Sequence, residues 1–344
     1  MLVLNKKAGC NYKGANEVST LTKQTKGDSV LPGRSINRKN TLGKKIWQNK
    51  YMYLLFLPML IYLLVFCYYP MYGVILAFKD FNYAKGIIAS PWAKEYGMNN
   101  FIKLFRNPRF FAALKNTLII STGRIIFEFP FPVILALLIN EIRSSKFKRI
   151  TQTVYTFPHF ISWIIVYGLF FNIFSSDGIF NQLIALMGFE RTSLLSNPDT
   201  FRPLLYISDN WKEMGWSAII YLASITGISP ELYEAARIDG ASRRQLVWHI
   251  TFPCIGGTIA IMFVLTVANL MNAGFDQIFN MYNAAVYEVS DIIDTLIYRM
   301  TFKDPNSAGF GYTTAMGLFK SVINFALLIV ANGIVKKSTG KGIY

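Results

Sequence analysis

Charge is scarce in this chain. Asp, Glu, Lys and Arg make up 16% of its 344 residues, against about a quarter in an ordinary soluble domain, which argues against a water-soluble globule of this size. Cysteine is scarcer. Cys10, Cys67 and Cys254 stand at no paired spacing, so neither a disulfide framework nor a zinc site is predicted. The histidines, His159 and His249, have no metal-ligating company at useful spacing. His159 reads as a satisfied core residue and His249 as packed or solvated. The chain has no GxxxxGK[ST] segment, and so no phosphate-cradling loop for ATP hydrolysis. It also has no nucleophile elbow and no zinc motif. Asp291 and Asp294 are at helical spacing but fall in a predicted loop, where solvation accounts for them. The opening residues MLVLNKKAGCNYKGANEV hold no apolar core of useful length, so a cleaved signal peptide is not expected there.

What is abundant is apolar surface. Hydrophobic residues reach 53% and aromatics 15%, a membrane composition. The formal net charge is +16, but the basic residues gather in tails and short loops beside apolar runs. That distribution orients a protein in a membrane and excludes a nucleic-acid partner. A helix needs about 20 mostly apolar residues to cross the hydrocarbon core. Six segments qualify, at about 51–73, 112–140, 151–174, 204–228, 254–273 and 312–333. The fold class expected is therefore an all-α membrane protein with six transmembrane helices. Pro130 and Pro132 predict a kink in the second span.

Eleven Lys and Arg residues precede residue 51, opposed only by Glu17 and Asp28. The loop 141-EIRSSKFKR-149 and the C-terminal Lys336, Lys337 and Lys341 add more. With six spans these regions share one face, which the positive-inside rule makes cytoplasmic. Both termini are then cytoplasmic, as is the loop 229–253. The first outside loop, which carries Lys79, Lys85, Lys94, Lys103, Arg106 and Arg109, runs against this trend. Residues 1–45 read as a disordered basic cytoplasmic tail, whose charge attracts anionic membrane lipid, and 46–344 as the transmembrane domain. The stretch 99-NNFIKLFRNP-108 predicts a short amphipathic helix lying at the outer interface.

The loop 231-ELYEAARIDGASRRQLVWHITFP-253 is charged and helix-favouring. Pro230 suits a first turn capped by Ser229, and Glu231 and Glu234 lie near the positive end of that helix's dipole. Gly240 permits a sharp turn, and a second helical piece leads to Pro253. A helix–turn–helix elbow is expected, its first arm short enough to enter a groove on another protein.

The spacing Glu234-Ala235-Ala236, then Gly240, then Ile250-Thr251-Phe252-Pro253 resembles the signature of permease subunits in binding-protein-dependent type I ABC importers. Its departure is Phe252, where the family usually has Leu. The stretches 209-DNWKEMGWSAIIYLASITGISPELYEAARIDGA-241, 111-FAALKNTLIIS-121 and 313-TTAMGLFKSVINF-325 resemble its oligosaccharide-uptake branch, and the likeness covers about 50–344. The resemblance implies the type I importer transmembrane fold and a non-catalytic subunit. Glu234, Ala235, Ala236, Asp239 and Gly240 would form the coupling helix against a separate ATPase. The implied partners are a second permease subunit, two ATP-binding subunits and an extracytoplasmic solute-binding protein, with an oligosaccharide as cargo. No cofactor is implied on this chain, since ATP and Mg would be used by the partner ATPase. The bundle would rock from inward-open to outward-open as the ATPase subunits close.

A sugar path needs hydroxyl-bonding groups and aromatic faces. Thr266, Asn269 and Asn272 make one polar stripe on the fifth span, a position where the family places part of its sugar site. The stripe serves equally well for interhelical hydrogen bonds. Trp216 and Tyr221 on the fourth span are candidate stacking faces, whereas Trp211 suits an interfacial belt. Arg124 and Glu128, four apart, read as a structural ion pair. Lys320 has no partner in sequence and is expected to snorkel or to face the cavity. Two alternatives stand beside this reading: an ABC permease for a non-sugar solute, and an ATP-independent secondary transporter. The latter predicts inverted repeats and a charged midplane site, which six spans with an elbow before the fifth do not suggest.

Overall fold

The computed structural model describes residues 47–188, 190–304 and 309–339; the tail expected over residues 1–45 lies outside them. The described residues form helices and no strand, apart from one isolated antiparallel bridge between Lys79 and Trp92. Five helical stretches are long and apolar enough to cross a membrane: Lys50–Phe78, Pro108–Asn140, Trp163–Leu186, Arg243–Ala268 and Gly309–Lys337.

The first stretch starts with α1 (Lys50–Tyr62) and continues through a π turn at Leu63–Tyr68 and a 3-10 turn at Tyr72–Phe78. It is apolar all round, and none of its most apolar window is buried within the chain, as suits a helix surrounded by lipid. The expected short helix is present as α2 (Asn99–Arg106), but it is packed against the chain itself. Asn100 Nδ2 donates to the Ala77 and Lys79 carbonyls at 2.9 and 3.1 Å, and Phe105 meets Phe110 and Phe319 edge-on. Lys79 is not a loose loop charge either. It is buried, and its Nζ donates to the Ile87 and Ile88 carbonyls at 2.9 and 2.7 Å, so it caps a turn.

The second span is α3 (Pro108–Phe127) followed by α4 (Pro130–Asn140). The break at Glu128 and Phe129 falls where Pro130 and Pro132 remove two helical donors, as predicted. The third span departs from expectation. Residues 151–174 are not one helix: α5 (Ser145–Thr156) ends in a 3-10 turn at Phe157–Phe160, Ile161 and Ser162 are extended, and α6 (Trp163–Phe174) begins afresh. Pro158 interrupts the hydrogen-bond ladder, a local break that the apolar run conceals. The apolar length is recovered from α7 (Ile179–Leu186), beyond a turn.

The long helix α8 (Pro198–Thr226) has 29 residues and contains all but the last two residues of the predicted fourth span. It is not among the five, because Arg202, Asp209, Lys212 and Glu213 interrupt its apolar run. It packs on α3, α4, α5 and the fifth-span helix and has ten buried residues. Tyr221, Leu222 and Ile225 pack with Val133, Leu135 and Ile139 of α4. Gly215 makes the approach to α5 possible, since a Cβ there would lie 2.0 Å from the Tyr155 carbonyl oxygen. Gly215→Ala should therefore destabilise the bundle by about 1–3 kcal/mol, measured as a lower midpoint of thermal unfolding in detergent; an unchanged midpoint would contradict this packing.

After α8 come α9 (Pro230–Ile238), α10 (Arg243–Leu246), a π turn at Val247–Thr251 and α11 (Phe252–Ala268). The fifth span was expected to reach residue 273 but stops at Ala268. Leu270–Asn272 form a 3-10 turn, and Ala273 and Gly274 are left-handed with φ of 47° and 74°. The chain then runs through α12 (Phe275–Met281) and α13 (Ile293–Tyr298) to α14 (Gly309–Thr339).

The segment between α11 and α14 is a packed layer, not a solvated loop. Ile278, Met281 and Ile292 join Ile120, Phe201 and Leu205 in one core cluster. Ile293, Leu296 and Met300 join Leu104, Phe110 and Met316 in another. Asp291 and Asp294 are therefore not explained by solvation. Asp291 accepts from both terminal nitrogens of Arg299, at 2.9 and 2.5 Å, and Asp294 accepts twice from Lys320 Nζ, at 2.8 and 2.6 Å. Lys320 thus has the partner that its sequence neighbourhood could not supply. Cys67 is a free, exposed thiol.

Candidate functional site

Two sites stand out: the elbow between α8 and α11, and a polar cavity within the bundle. At the elbow, Pro230 occupies the first turn of α9 as predicted. Ser229 holds the capping position, but its side chain makes no capping bond and its buried Oγ has no partner. No residue of α9 is buried, and Glu234, Ala235 and Asp239 are exposed with Ala236 half-buried. Gly240 has φ of +82°, the left-handed turn its position predicted, with open space where a Cβ would point. The second arm starts from a capping box, in which Gln245 Oε1 accepts from the Ser242 backbone N–H at 2.7 Å.

The exposed elbow has a firm root. The Tyr233 and Thr251 hydroxyls are 2.9 Å apart, and Thr251 and Leu246 are buried. Arg243 approaches Glu141, at the end of α4, to 3.9 Å. A cavity of about 620 Å³ lies there, lined by Glu141, Arg143, Tyr233, Arg237 and Arg243 among others. A stiff, rooted arm with a polar, accessible surface can carry motion between a partner and the bundle.

The bundle cavity has a volume of about 440 Å³ and is walled by α3, α8, α11 and the turn after α11. Four of the five predicted cargo residues reach it: Tyr221, Thr266, Asn269 and Asn272. Trp216 does not. Its ring stacks on His159 at 4.5 Å and 2° between planes, an assignment that helical periodicity alone does not make. Local bonds occupy part of the polar stripe: Thr266 Oγ1 donates to the Met262 carbonyl at 2.9 Å, Asn269 Nδ2 to that of Leu265 at 3.1 Å, and Asn272 Nδ2 to Asn269 Oδ1 at 3.2 Å. Neither asparagine lies within the helix proper, because α11 has already ended.

The same cavity holds a charged cluster. Arg124 lies 3.3 Å from Glu128 and 3.0 Å from Asp209 and also donates to Gln277 Oε1. Gln277 in turn donates to the Leu205 carbonyl and the Ser208 hydroxyl, both at 2.8 Å. The predicted Arg124–Glu128 pair is present, but it is part of a larger hub joining α3, α8 and α12. Gly274 belongs to this hub, since a Cβ at that position would lie 2.3 Å from the Arg124 guanidinium. Farther along α8, Glu213 accepts from Lys212 Nζ at 2.7 Å and lies 2.6 Å from His159 Nδ1. No role for Asp209, Glu213 or Gln277 was legible from local sequence. The signal for the first two was present: carboxylates inside an otherwise apolar helix require partners.

Chemically, the cavity offers hydrogen-bond acceptors, amides and one phenol, and suits a hydroxyl-rich solute. Among the described residues, no group of three metal-capable side chains forms a metal site.

Residues 128–339 match the family described as the inner membrane component of binding-protein-dependent transport systems. The chain is 43% identical over 308 residues to the polygalacturonan/rhamnogalacturonan transport system permease protein YteP of Bacillus subtilis (strain 168), covering 89% of this chain and 94% of that one. It is 40% identical over 328 residues to Protein LplB of the same organism, covering 95% and 100%. It also superposes, at a TM-score of 0.79 and 37% identity, on a chain of a bacterial ABC transporter involved in the import of the acidic polysaccharide alginate. That match covers 87% of this chain and 99% of the other. A second structure, of the alginate transporter in complex with an alginate pentasaccharide-bound periplasmic protein, matches at the same TM-score and identity over 88% and 99%.

Proposed function

Because the chain belongs to the inner membrane components of binding-protein-dependent transport systems, we propose that it is the permease subunit of an ATP-driven importer that moves oligosaccharides inward by alternating access. The cargo assignment is supported by the relatives named for polygalacturonan, rhamnogalacturonan and alginate and by a polar cavity in the bundle. The subunit is non-catalytic and multi-pass in the bacterial inner membrane. It works with a second permease, two ATP-binding subunits that use ATP and Mg, and an extracytoplasmic solute-binding protein.

In this reading α8 is the fourth of six spans, its charges turned toward partners inside the bundle. Both termini and the elbow face the cytoplasm, residues 1–45 form a separate cytoplasmic tail, and 46–344 form the permease domain. Glu234, Ala235, Ala236, Asp239 and Gly240 dock against an ATPase subunit, and the elbow's root in α4 and α11 passes the closing motion to the cavity walls. Tyr221, Thr266, Asn269 and Asn272 contact cargo. Trp216 stays outside the cavity, its ring stacked on His159. The observation that carries the proposal is the exposed, firmly rooted elbow with Gly240 at its turn.

The test is reconstitution of the complex purified with its natural companions. ATP-dependent uptake of labelled oligosaccharides into proteoliposomes is expected, with no uptake of phosphate, polyamine or peptide. Purification without an ATPase and a second permease, or uptake that continues without ATP, would overturn it.

A further inference from the structure

A second cavity, of about 550 Å³, adjoins the bundle cavity and shares Asp209, Asn272 and Gly274 with it. The charged residues of the first wall are Arg124, Glu128, Asp209 and Glu213, and those of the second are Asp209, Asp276 and Asp294. Among the described residues, one cation therefore lines the two cavities, with five carboxylates.

The cations near these carboxylates are committed. Arg124 is held between Glu128 and Asp209. Behind the wall, Lys212 pairs with Glu213 and Lys320 with Asp294. Asp276 is exposed, and no ion pair among the described residues reaches it. Glu128 Oε1 is buried without a hydrogen-bond partner. The path thus keeps spare acceptors and no uncommitted cation. A sugar hydroxyl can donate to the exposed Asp276 carboxylate, whereas a uronate carboxylate would find like charge and no counter-ion on this chain.

We propose that this permease passes uncharged oligosaccharides and rejects polyuronates, with Asp276 and the Arg124–Glu128–Asp209 hub as the charge filter. The proposal rests on the oligosaccharide reading above and narrows it. It would set this chain's cargo apart from the acidic polymers for which relatives are named.

The experiment uses the complete complex in detergent without its solute-binding protein, so that the latter's own selectivity plays no part. Binding is followed by tryptophan fluorescence for tetrasaccharide pairs of one backbone: tetragalacturonate against its methyl ester, and tetramannuronate against mannotetraose. The neutral member of a pair should bind about tenfold more tightly at low salt. The difference should shrink in about 0.5 M salt and in Asp276→Lys, with Asp276→Asn intermediate. Both substitutions fall on an exposed side chain, so the fold should survive them. Equal or tighter binding of the acids, or a preference indifferent to salt and to Asp276→Lys, overturns the charge filter and leaves the oligosaccharide reading standing. Binding of phosphate, polyamine or peptide with no binding of any glycan overturns the oligosaccharide reading itself.

Discussion

Gly240→Pro should abolish uptake while the protein still inserts and assembles in normal amount. Gly240 sits at φ of +82°, and proline is locked near −65°. The substitution also removes the N–H that Gly240 donates to the Arg237 carbonyl at 3.0 Å. Together these should cost about 3 kcal/mol or more if the turn is kept, so the turn should open instead. The elbow's first arm would then lose its fixed angle to the second. Because α9 has no buried residue and the space around Gly240 is open, the bundle itself should be little affected. Thermal unfolding of the extracted protein should stay near wild type, while oligosaccharide-stimulated ATP hydrolysis by the assembled complex disappears. Gly240→Ala should retain part of the activity, since alanine meets only the left-handed penalty of about 1–2 kcal/mol. Normal uptake by the proline variant would end the elbow's claim to couple ATPase and bundle.

Arg124→Met should be the most destabilising single change within the bundle. Arg124, Glu128 and Asp209 are each about 15% exposed or less at the side chain, so removing the cation strands two carboxylates that bulk water hardly reaches. Breaking a buried ion pair in this way costs about 3–5 kcal/mol, or a fall in melting midpoint of roughly 10 °C. The loss should not be confined to the pair, because Arg124 also holds Gln277, and through it α12, against α8. Adding Glu128→Gln and Asp209→Asn to Arg124→Met should restore most of the midpoint if uncompensated charge is the cause. A single variant that melts like wild type would show that the hub contributes little.

The elbow was legible in the sequence because its determinants are local. Pro230 starts a helix and Gly240 takes a left-handed turn, and each acts within four residues of itself. The span positions were legible for the same reason wherever the apolar run and the helix coincide. They failed at Pro158, which splits the third span, and at Ala273–Gly274, where backbone conformation ends α11 early despite continuing hydrophobicity. The lining of the bundle cavity was only partly legible. Tyr221 and the Thr266–Asn269–Asn272 stripe reach the cavity, but the orientation of Trp216 depends on a histidine 57 positions away.

By itself, then, the amino-acid order determined that this is a helical membrane protein with a coupling signature, because hydrophobic length, proline, glycine and capping act over one or two turns. Only the tertiary structure decided which charges meet. Arg124 with Asp209, Asp294 with Lys320 and Gln277 with Ser208 join positions tens of residues apart. A buried charge must find its counterpart in three dimensions, and nothing in the neighbouring sequence records where that counterpart lies.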